Sequence, residues 1–136
     1  MPSRLNPYIG FTDTARPALE FYREVFGGEL VLSTFGEAGG ADGPDADKIM
    51  HGQLETPAGY TLMASDTPEG MDRTVGTNVS ISLSGDDEAL RGYFAKLSDG
   101  GTVTMPLEKQ SWGDEFGMCI DRFGIAWLVN VSQPAA

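Results

Sequence analysis

The segment from Asn6 to Gly28, NPYIGFTDTARPALEFYREVFGG, predicts a short strand, a turn, an amphipathic helix and a Gly-Gly stop. We expect Asp13 or Thr14 to cap the helix, because a side-chain oxygen there can accept hydrogen bonds from the exposed first amides. Apolar residues then recur at helical spacing. The glycines that follow are typical of a helix end, because glycine adopts positive φ at little steric cost.

The same pattern is repeated 72 positions further along the chain. The aligned residues are Asn6 with Asn78, Ile9 with Ile81, Phe11 with Leu83 and Phe21-Tyr22 with Tyr93-Phe94, followed by the glycine pairs Gly27-Gly28 and Gly100-Gly101, which match at an offset of 73. Two later hairpins match at an offset of 65, which aligns Gly52 with Gly117 and Ser65 with Asn130. The repeat therefore predicts two β-α-β-β-β modules and an α+β fold class.

The chain of 136 residues is long enough to bury a core without disulfides or a metal, and we predict a single domain over 1–136. The first module covers about 4–66, the linker 67–76 and the second module about 77–132. A loop at 36–47, rich in glycine and aspartate, has no apolar periodicity and is predicted to be mobile. This loop lengthens the first module and accounts for the change of offset from 72 to 65.

The formal net charge of −11 repels phosphate groups, so we expect neither nucleic-acid binding nor attraction to an anionic membrane surface. Cys119 is the only cysteine and cannot form an internal disulfide. We expect it to be a small buried hydrophobe rather than a nucleophile. The sequence starts without the apolar stretch of a signal peptide, and no apolar run approaches the ~20 residues that span a bilayer. These features predict a cytoplasmic protein with no membrane partner.

Several motifs, spread over both halves, carry a family resemblance. They are Asn6-Pro-Tyr8, Phe21-Tyr22 with Phe26-Gly-Gly28, Asp47-Lys-Ile-Met-His51, Leu62-Met-Ala-Ser-Asp66, Asn78-Val-Ser-Ile-Ser-Leu83, Trp112-Gly-Asp-Glu-Phe-Gly117 and Asp121-Arg-Phe-Gly-Ile-Ala-Trp127-Leu-Val-Asn130. With them the chain resembles the vicinal oxygen chelate superfamily, which includes glyoxalase I and the bleomycin- and fosfomycin-resistance proteins, and within it the PhnB-like family. The resemblance implies a curved mixed sheet that forms an incomplete barrel around a cavity, with helices outside, and a homodimer.

Metal-dependent members of that superfamily place His, Glu or Gln on the first and last strands of each module. The residues available at those positions here are Asn6 or Tyr8, Asn78 or Ser80, Met63 or Ser65, and Leu128 or Asn130. Amide and hydroxyl oxygens are weak ligands for a transition metal, so we predict no metal site and no cofactor. The alternative is a divalent metal ion held by His51 and Glu55, because strand alternation puts both on one face together with Gln53.

The candidate ligand-binding residues are polar or aromatic side chains expected to line the cavity of the implied fold. They are Tyr8, His51, Met63, Ser65, Trp112, Glu115, Trp127 and Asn130. Trp112 lies in a predicted loop, where side chains are less often part of the core. Glu115 can act as a general base or a polar anchor, or can be a solvated loop acid. Trp127 aligns with Leu62 at the offset of 65, and matching apolar positions suggest core packing before a place in the cavity lining.

Some PhnB-like proteins carry the name of a demethylubiquinone methyltransferase, and the sequence argues against that activity. The glycine pairs lie at helix ends, whereas approach to a methyl donor needs a strand that ends in a glycine-rich turn. Our primary hypothesis is a protein that binds a small organic molecule in the inter-module cavity without a conventional metal site. The alternative is a metal-dependent lyase, isomerase or dioxygenase-type enzyme, and the sequence leaves open whether any reaction is catalysed.

Overall fold

A computed structural model describes residues 3–37, 43–68 and 75–132. The chain forms two compact units, Met1–Val75 and Gly76–Ala136. The first unit contains β1 (Tyr8–Phe11), α1 (Ala15–Phe26), β2 (Glu29–Thr34), a 3-10 turn (Gly43–Asp45), β3 (Ile49–Glu55) and β4 (Thr61–Asp66). The second unit contains β5 (Ile81–Gly85), α2 (Ala89–Ser98), β6 (Thr102–Lys109), β7 (Glu115–Ile120) and β8 (Ala126–Val131).

Over the described ranges, each unit has one four-stranded mixed sheet, and the two sheets share one topology. Their strand orders are β1-β4-β3-β2 and β5-β8-β7-β6. The pairs β1–β4 and β5–β8 are parallel, and the remaining pairs are antiparallel. The α+β fold class with two β-α-β-β-β modules is therefore confirmed. Within the described ranges, no helix is long and apolar enough to cross a membrane.

The two hairpin turns show that the offset of 65 is a physical equivalence. In the first unit, Thr56 N–H donates to the Tyr60 carbonyl at 3.0 Å, and Thr56 Oγ1 accepts from Tyr60 N–H at 3.0 Å. In the second unit, Asp121 N–H donates to the Ile125 carbonyl at 2.9 Å, and Asp121 Oδ1 accepts from Ile125 N–H at 3.1 Å. A hydroxyl and a carboxylate thus close the same turn in the two copies.

Helix α1 covers one face of the first sheet. A Cβ added to Gly52 in β3 would lie 2.4 Å from Leu19 Cδ1 of α1, so the missing side chain lets the helix approach the sheet closely. Successive side chains of a strand point to opposite faces, which directs the neighbours His51 and Gln53 away from α1. We call the face opposite α1 the open face of the first sheet.

The start of helix α1 differs from the sequence expectation. Among the described residues, Thr14 is the N-cap of α1 but makes no side-chain capping hydrogen bond. The carboxylate of Asp66 at the end of β4 replaces it, because Oδ1 accepts from Ala15 N–H at 2.8 Å. Its Oδ2 accepts from Ile49 N–H, also at 2.8 Å. The predicted cap within the segment was wrong because a carboxylate distant in sequence occupies the helix start.

The helix ends follow the glycine signal in one copy and depart from it in the other. Helix α1 ends at Phe26, and its C-cap Gly27 has a φ of 75° and donates its N–H to the Arg23 carbonyl. Helix α2 ends at Ser98, and its C-cap is Asp99, which precedes the glycine pair Gly100-Gly101. The 3-10 turn lies inside the predicted loop at 36–47, whose residues 38–42 are outside the described part. Most of the predicted linker, residues 69–74, also lies outside it.

Candidate functional site

The open face of the first sheet carries a hydrogen-bonded line of side chains, which we call the polar row: Tyr8, His51, Gln53 and Glu55. The Tyr8 hydroxyl lies 3.4 Å from His51 Nδ1, and His51 Nε2 lies 3.4 Å from Gln53 Oε1. Gln53 Nε2 donates to Glu55 Oε1 at 2.6 Å. Three residues of the row alternate along β3, which places them on one face, and Tyr8 joins them from β1.

The acidic end of the polar row is stabilised in its charged form. The hydroxyl of Thr61 donates to Glu55 Oε2 at 2.7 Å, and Arg4 forms an ion pair with Glu55 at 3.3 Å. The Thr61 hydrogen bond, followed by those from Gln53 and Arg4, lowers the pKa of Glu55 below its ordinary value. Glu55 is therefore a carboxylate at neutral pH, and both of its oxygens have donors.

Met63 and Ser65 of β4 lie on the same face as the polar row. The strand pairing puts Met63 beside Tyr8 and Ser65 beside Gly10. Tyr8 is 55% exposed, and the centroid of its ring lies 5.8 Å from that of the His51 ring. The structure thus places together the four candidates from the first module, and together they form a surface with aromatic, thioether, imidazole and hydroxyl groups.

Sequence reasoning did not include Gln53, Thr61 and Arg4 among the candidate ligand-binding residues. Alternation from His51 to Glu55 was the signal for Gln53, which the sequence placed on that face as part of the metal alternative. Thr61 pairs with Glu55 across β3 and β4, and only the strand register shows this. Arg4 precedes β1, and nothing in the local sequence indicates its partner.

The second sheet has its own face opposite α2. Arg91 of α2 hydrogen-bonds Glu115 of β7, so the next residue, Phe116, points to the other side of the sheet. Asn130 pairs with Phe116 across β7 and β8, and its Nδ2 donates to Asp114 Oδ2 at 3.0 Å. The Trp112 ring, 61% exposed, lies 6.2 Å from that of Phe116 in an edge-on arrangement. Trp112 and Asn130 therefore lie around one exposed aromatic surface.

Glu115 lies on the helix side of the second sheet, away from that surface. It is opposite buried Val131 in the strand pairing, and Arg91 Nε donates to its Oε2 at 2.9 Å. The hydrogen bond from Arg91 lowers the pKa of Glu115. A carboxylate with a lowered pKa is a weaker base, so the surroundings of Glu115 fit an ion-pair partner of α2 better than a general base.

Trp127 has the placement of a core residue. It is 1% exposed, and its indole N–H donates to Asp121 Oδ2 at 2.9 Å. The same carboxylate closes the hairpin turn through Oδ1. A buried indole generally needs such a partner, because an unpaired N–H in the core is costly. Trp127 thus packs in the second unit much as the aligned Leu62 packs in the first.

Cys119 is 1% exposed in the core of the second unit. Burial, with a smaller contribution from the charge of Asp121, raises the pKa of its thiol to about 11. We expect native Cys119 to react with a disulfide reagent at pH 8 at least about 100-fold more slowly than the unfolded chain, because a rise of about two pKa units lowers the thiolate fraction by that factor.

The measurement is the release of thionitrobenzoate with and without urea, both at pH 8. Equal rates in the two conditions would contradict the buried, protonated thiol. The unfolded chain is the control, since it contains the same single cysteine and no folded environment.

The side chains present do not match the donor set that the superfamily resemblance implies for a metal. Across the described residues, no group of three or more His, Cys, Asp or Glu could hold a metal ion. His51 and Glu55 are separated by Gln53, and Glu55 already accepts hydrogen bonds from Gln53 and Thr61. These two residues would supply only two protein ligands, one fewer than catalytic zinc sites use.

Comparison with known proteins gives the same fold and a family. Protein PA1353 from Pseudomonas aeruginosa has a similar structure, with a TM-score of 0.86, 36% identity and coverage of 98% of this chain and 100% of that protein. A candidate 3-demethylubiquinone-9 3-methyltransferase and PhnB protein from Bacillus cereus has a TM-score of 0.77 at 24% identity, with 96% and 100% covered, and supports the fold alone.

Sequence relatives cover the chain nearly from end to end. Protein YjdN from Escherichia coli K12 is 26% identical over 140 residues, which are 93% of this chain and 94% of YjdN. A protein-family model described as Glyoxalase/Bleomycin resistance protein/Dioxygenase superfamily matches residues 4–129. With its repeated β-α-β-β-β modules and this match over most of its length, the chain belongs to the glyoxalase/bleomycin resistance protein/dioxygenase superfamily.

Proposed function

We propose that the protein binds a small organic molecule on the open face of its first sheet and does so without a conventional metal site. The observation that carries this proposal is the polar row, which lies beside Met63 on the face that α1 leaves uncovered. Small-molecule sites combine apolar and aromatic surface with a few polar groups whose orientation is fixed. The polar row provides such groups.

The second sheet supports the same proposal independently. Trp112, Phe116 and Asn130 form an exposed aromatic surface with an amide fixed by Asp114. An aromatic ring and an oriented amide can bind a flat organic molecule by stacking and hydrogen bonding. Each sheet thus presents a surface of the composition that small-molecule sites have.

A binding experiment tests the proposal through the chain's only histidine. In an NMR titration, we expect phenol to shift the ring-proton resonances of His51 until they saturate, because the ligand binds against the polar row. His51→Ala should weaken phenol binding by about fivefold, or about 1 kcal/mol, measured by calorimetry, because Tyr8 loses the hydrogen bond that orients its hydroxyl.

Tyr8→Phe and Tyr93→Phe form a matched pair for this experiment, because each removes one phenolic hydroxyl. Tyr8 lies on the open face, whereas Tyr93 lies on α2 of the other unit. Only Tyr8→Phe should weaken binding. Equal affinity of the wild type, His51→Ala and Tyr8→Phe for phenol would overturn the proposed binding face.

Elemental analysis separates this function from a metal-dependent lyase, isomerase or dioxygenase. The protein is purified without a histidine tag, and the metal content of the wild type is compared with that of His51→Ala. About one equivalent of a divalent metal in the wild type, lost in the variant, would overturn the metal-free proposal and favour the enzyme.

We also infer that the protein works in the cytoplasm as a homodimer. The net charge of −11 favours solubility, and a chain with one cysteine needs no oxidising compartment. Strands β2 and β6 stand at sheet edges, where association with another chain would protect exposed backbone groups. Light scattering after size exclusion tests the dimer, and a single monomer mass at micromolar concentration would overturn it.

A further inference from the structure

We propose that Gln53 and Glu55 hold His51 in its Nε2–H tautomer, so that Tyr8 presents its hydroxyl oxygen to a ligand as a hydrogen-bond acceptor. His51 and Gln53 are then positioning residues that act through Tyr8. This inference rests on the proposed function and names the ligand class: a small molecule that donates a hydrogen bond from a hydroxyl or an N–H group.

Glu55, at the charged end of the polar row, fixes the direction of the hydrogen bond that it shares with Gln53. A carboxylate accepts hydrogen bonds and donates none. Glu55 Oε1 therefore requires a donor from Gln53, and the amide nitrogen fills that role at 2.6 Å. Thr61 and Arg4 supply donors to the same carboxylate. The amide of Gln53 is thus oriented by chemistry, with Nε2 toward Glu55 and Oε1 toward His51.

The orientation of Gln53 determines the tautomer of the imidazole. Gln53 Oε1 can only accept, so His51 Nε2, at 3.4 Å, must carry the proton for a hydrogen bond to form. In a neutral ring the other nitrogen then has a free lone pair. Nδ1 of His51 lies 3.4 Å from the Tyr8 hydroxyl and accepts a hydrogen bond from it.

The direction of these hydrogen bonds determines whether Tyr8 can donate to a ligand or accept from it. All donors in the polar row point toward Glu55: the Tyr8 hydroxyl to His51, the His51 ring to Gln53, and the Gln53 amide to Glu55. The only hydroxyl hydrogen of Tyr8 is used within the row, while its oxygen keeps acceptor capacity. Because Tyr8 is 55% exposed, we expect that oxygen to be accessible to a donor group of a ligand.

The tautomer can be measured on the protein alone, because His51 is the only histidine. Long-range nitrogen–proton correlation spectra, recorded at a pH where the ring is neutral, distinguish a protonated from an unprotonated ring nitrogen. We expect Nε2 to be protonated in the wild type. Gln53→Leu should increase the Nδ1–H population, and Gln110→Leu, the same change in the other unit, should not.

Two results of this measurement would overturn the positioning role. One is a predominant Nδ1–H form in the wild type, and the other is a tautomer ratio that Gln53→Leu leaves unchanged. The wild-type spectrum alone decides the first, so the test holds even if Gln53→Leu fails to fold. Circular dichroism establishes whether the variant is folded before the ratios are compared.

The ligand class is tested with phenol and anisole, which share a ring but differ in the donor hydrogen. We expect the wild type to bind phenol about fivefold more tightly than anisole, as one net hydrogen bond predicts. In Tyr8→Phe the ratio should fall to about one, because the acceptor is removed. Equal affinity of the wild type for both compounds would overturn the assignment of the ligand class.

The two experiments also separate this inference from the proposed function. Binding of neither compound, together with an Nε2–H tautomer that depends on Gln53, would overturn binding at this face and support the positioning of His51. Binding of both compounds with a predominant Nδ1–H tautomer would support the proposed function and overturn the inference.

Discussion

Asp66→Ala is expected to lower the free energy of unfolding by about 2–4 kcal/mol, because two buried backbone amides lose their acceptor. The carboxylate of Asp66 accepts from the N–H groups of Ala15 and Ile49, both at 2.8 Å. Both residues are buried, so water cannot readily replace the lost acceptors. The negative charge also lies at the start of α1, where the helix dipole favours it. Urea unfolding monitored by far-ultraviolet circular dichroism measures the loss, because both tryptophans, Trp112 and Trp127, lie in the second unit.

Asp13→Ala is the matched control for this change. Asp13 is an exposed acid near the same helix start, and the sequence alone predicted either Asp13 or Thr14 as the cap. We expect its replacement to change stability by less than about 0.5 kcal/mol, as surface substitutions usually do. A large loss in Asp13→Ala with little change in Asp66→Ala would contradict the cap that the structure shows.

Gly28→Ala and Gly101→Ala are each expected to cost about 3 kcal/mol or more, because both glycines face a backbone carbonyl at close range. A Cβ on Gly28 would lie 2.0 Å from the Glu55 oxygen, and one on Gly101 would lie 2.2 Å from the Ile120 oxygen. Neither carbonyl can rotate away without moving its strand. The two sites follow the two helices at equivalent places, so the duplication keeps the same steric requirement in both units.

Gly59→Ala separates steric overlap from backbone strain in this comparison. Gly59 has a φ of +89°, and among the described residues nothing lies within 4 Å of the added Cβ. Its replacement should cost only about 1–2 kcal/mol, the conformational penalty of that region. Urea unfolding of the three variants gives the comparison. Costs at Gly28 and Gly101 no larger than that at Gly59 would contradict the steric explanation.

The repeat in the sequence was sufficient to predict the fold. Matching strands, helices and hairpins at two offsets indicated two β-α-β-β-β modules, and the topology of the two sheets confirms them. Periodicity carries this information because a strand or a helix must place its apolar residues on one face. Strand bounds are less well predicted, because the strand-like patterns at 5–12 and 77–83 start before the hydrogen-bonded strands, which begin at Tyr8 in β1 and at Ile81 in β5.

Contacts between distant residues could not be predicted in the same way. The N–H of Ala15 binds a carboxylate 51 residues away, and Arg4 pairs with Glu55 at the same separation. Local propensity favoured a cap from the preceding residues, and the tertiary contact replaced it. The candidate site shows the same limit. Alternation put His51, Gln53 and Glu55 on one face, but the order of hydrogen bonds along the row depends on the register of three strands.

One carboxylate links three parts of the first unit. Asp66 ends β4, and its two oxygens bind the first amides of α1 and β3. A local opening that withdraws Asp66 releases both amides together, and hydrogen exchange at Ala15 and Ile49 then reports a single event. The first amide of α1 is consequently expected to be protected from hydrogen exchange as strongly as the amides of the sheet, and more strongly than that of an isolated helix end. Helix start and strand start belong to one cooperative unit, although they are far apart in the chain.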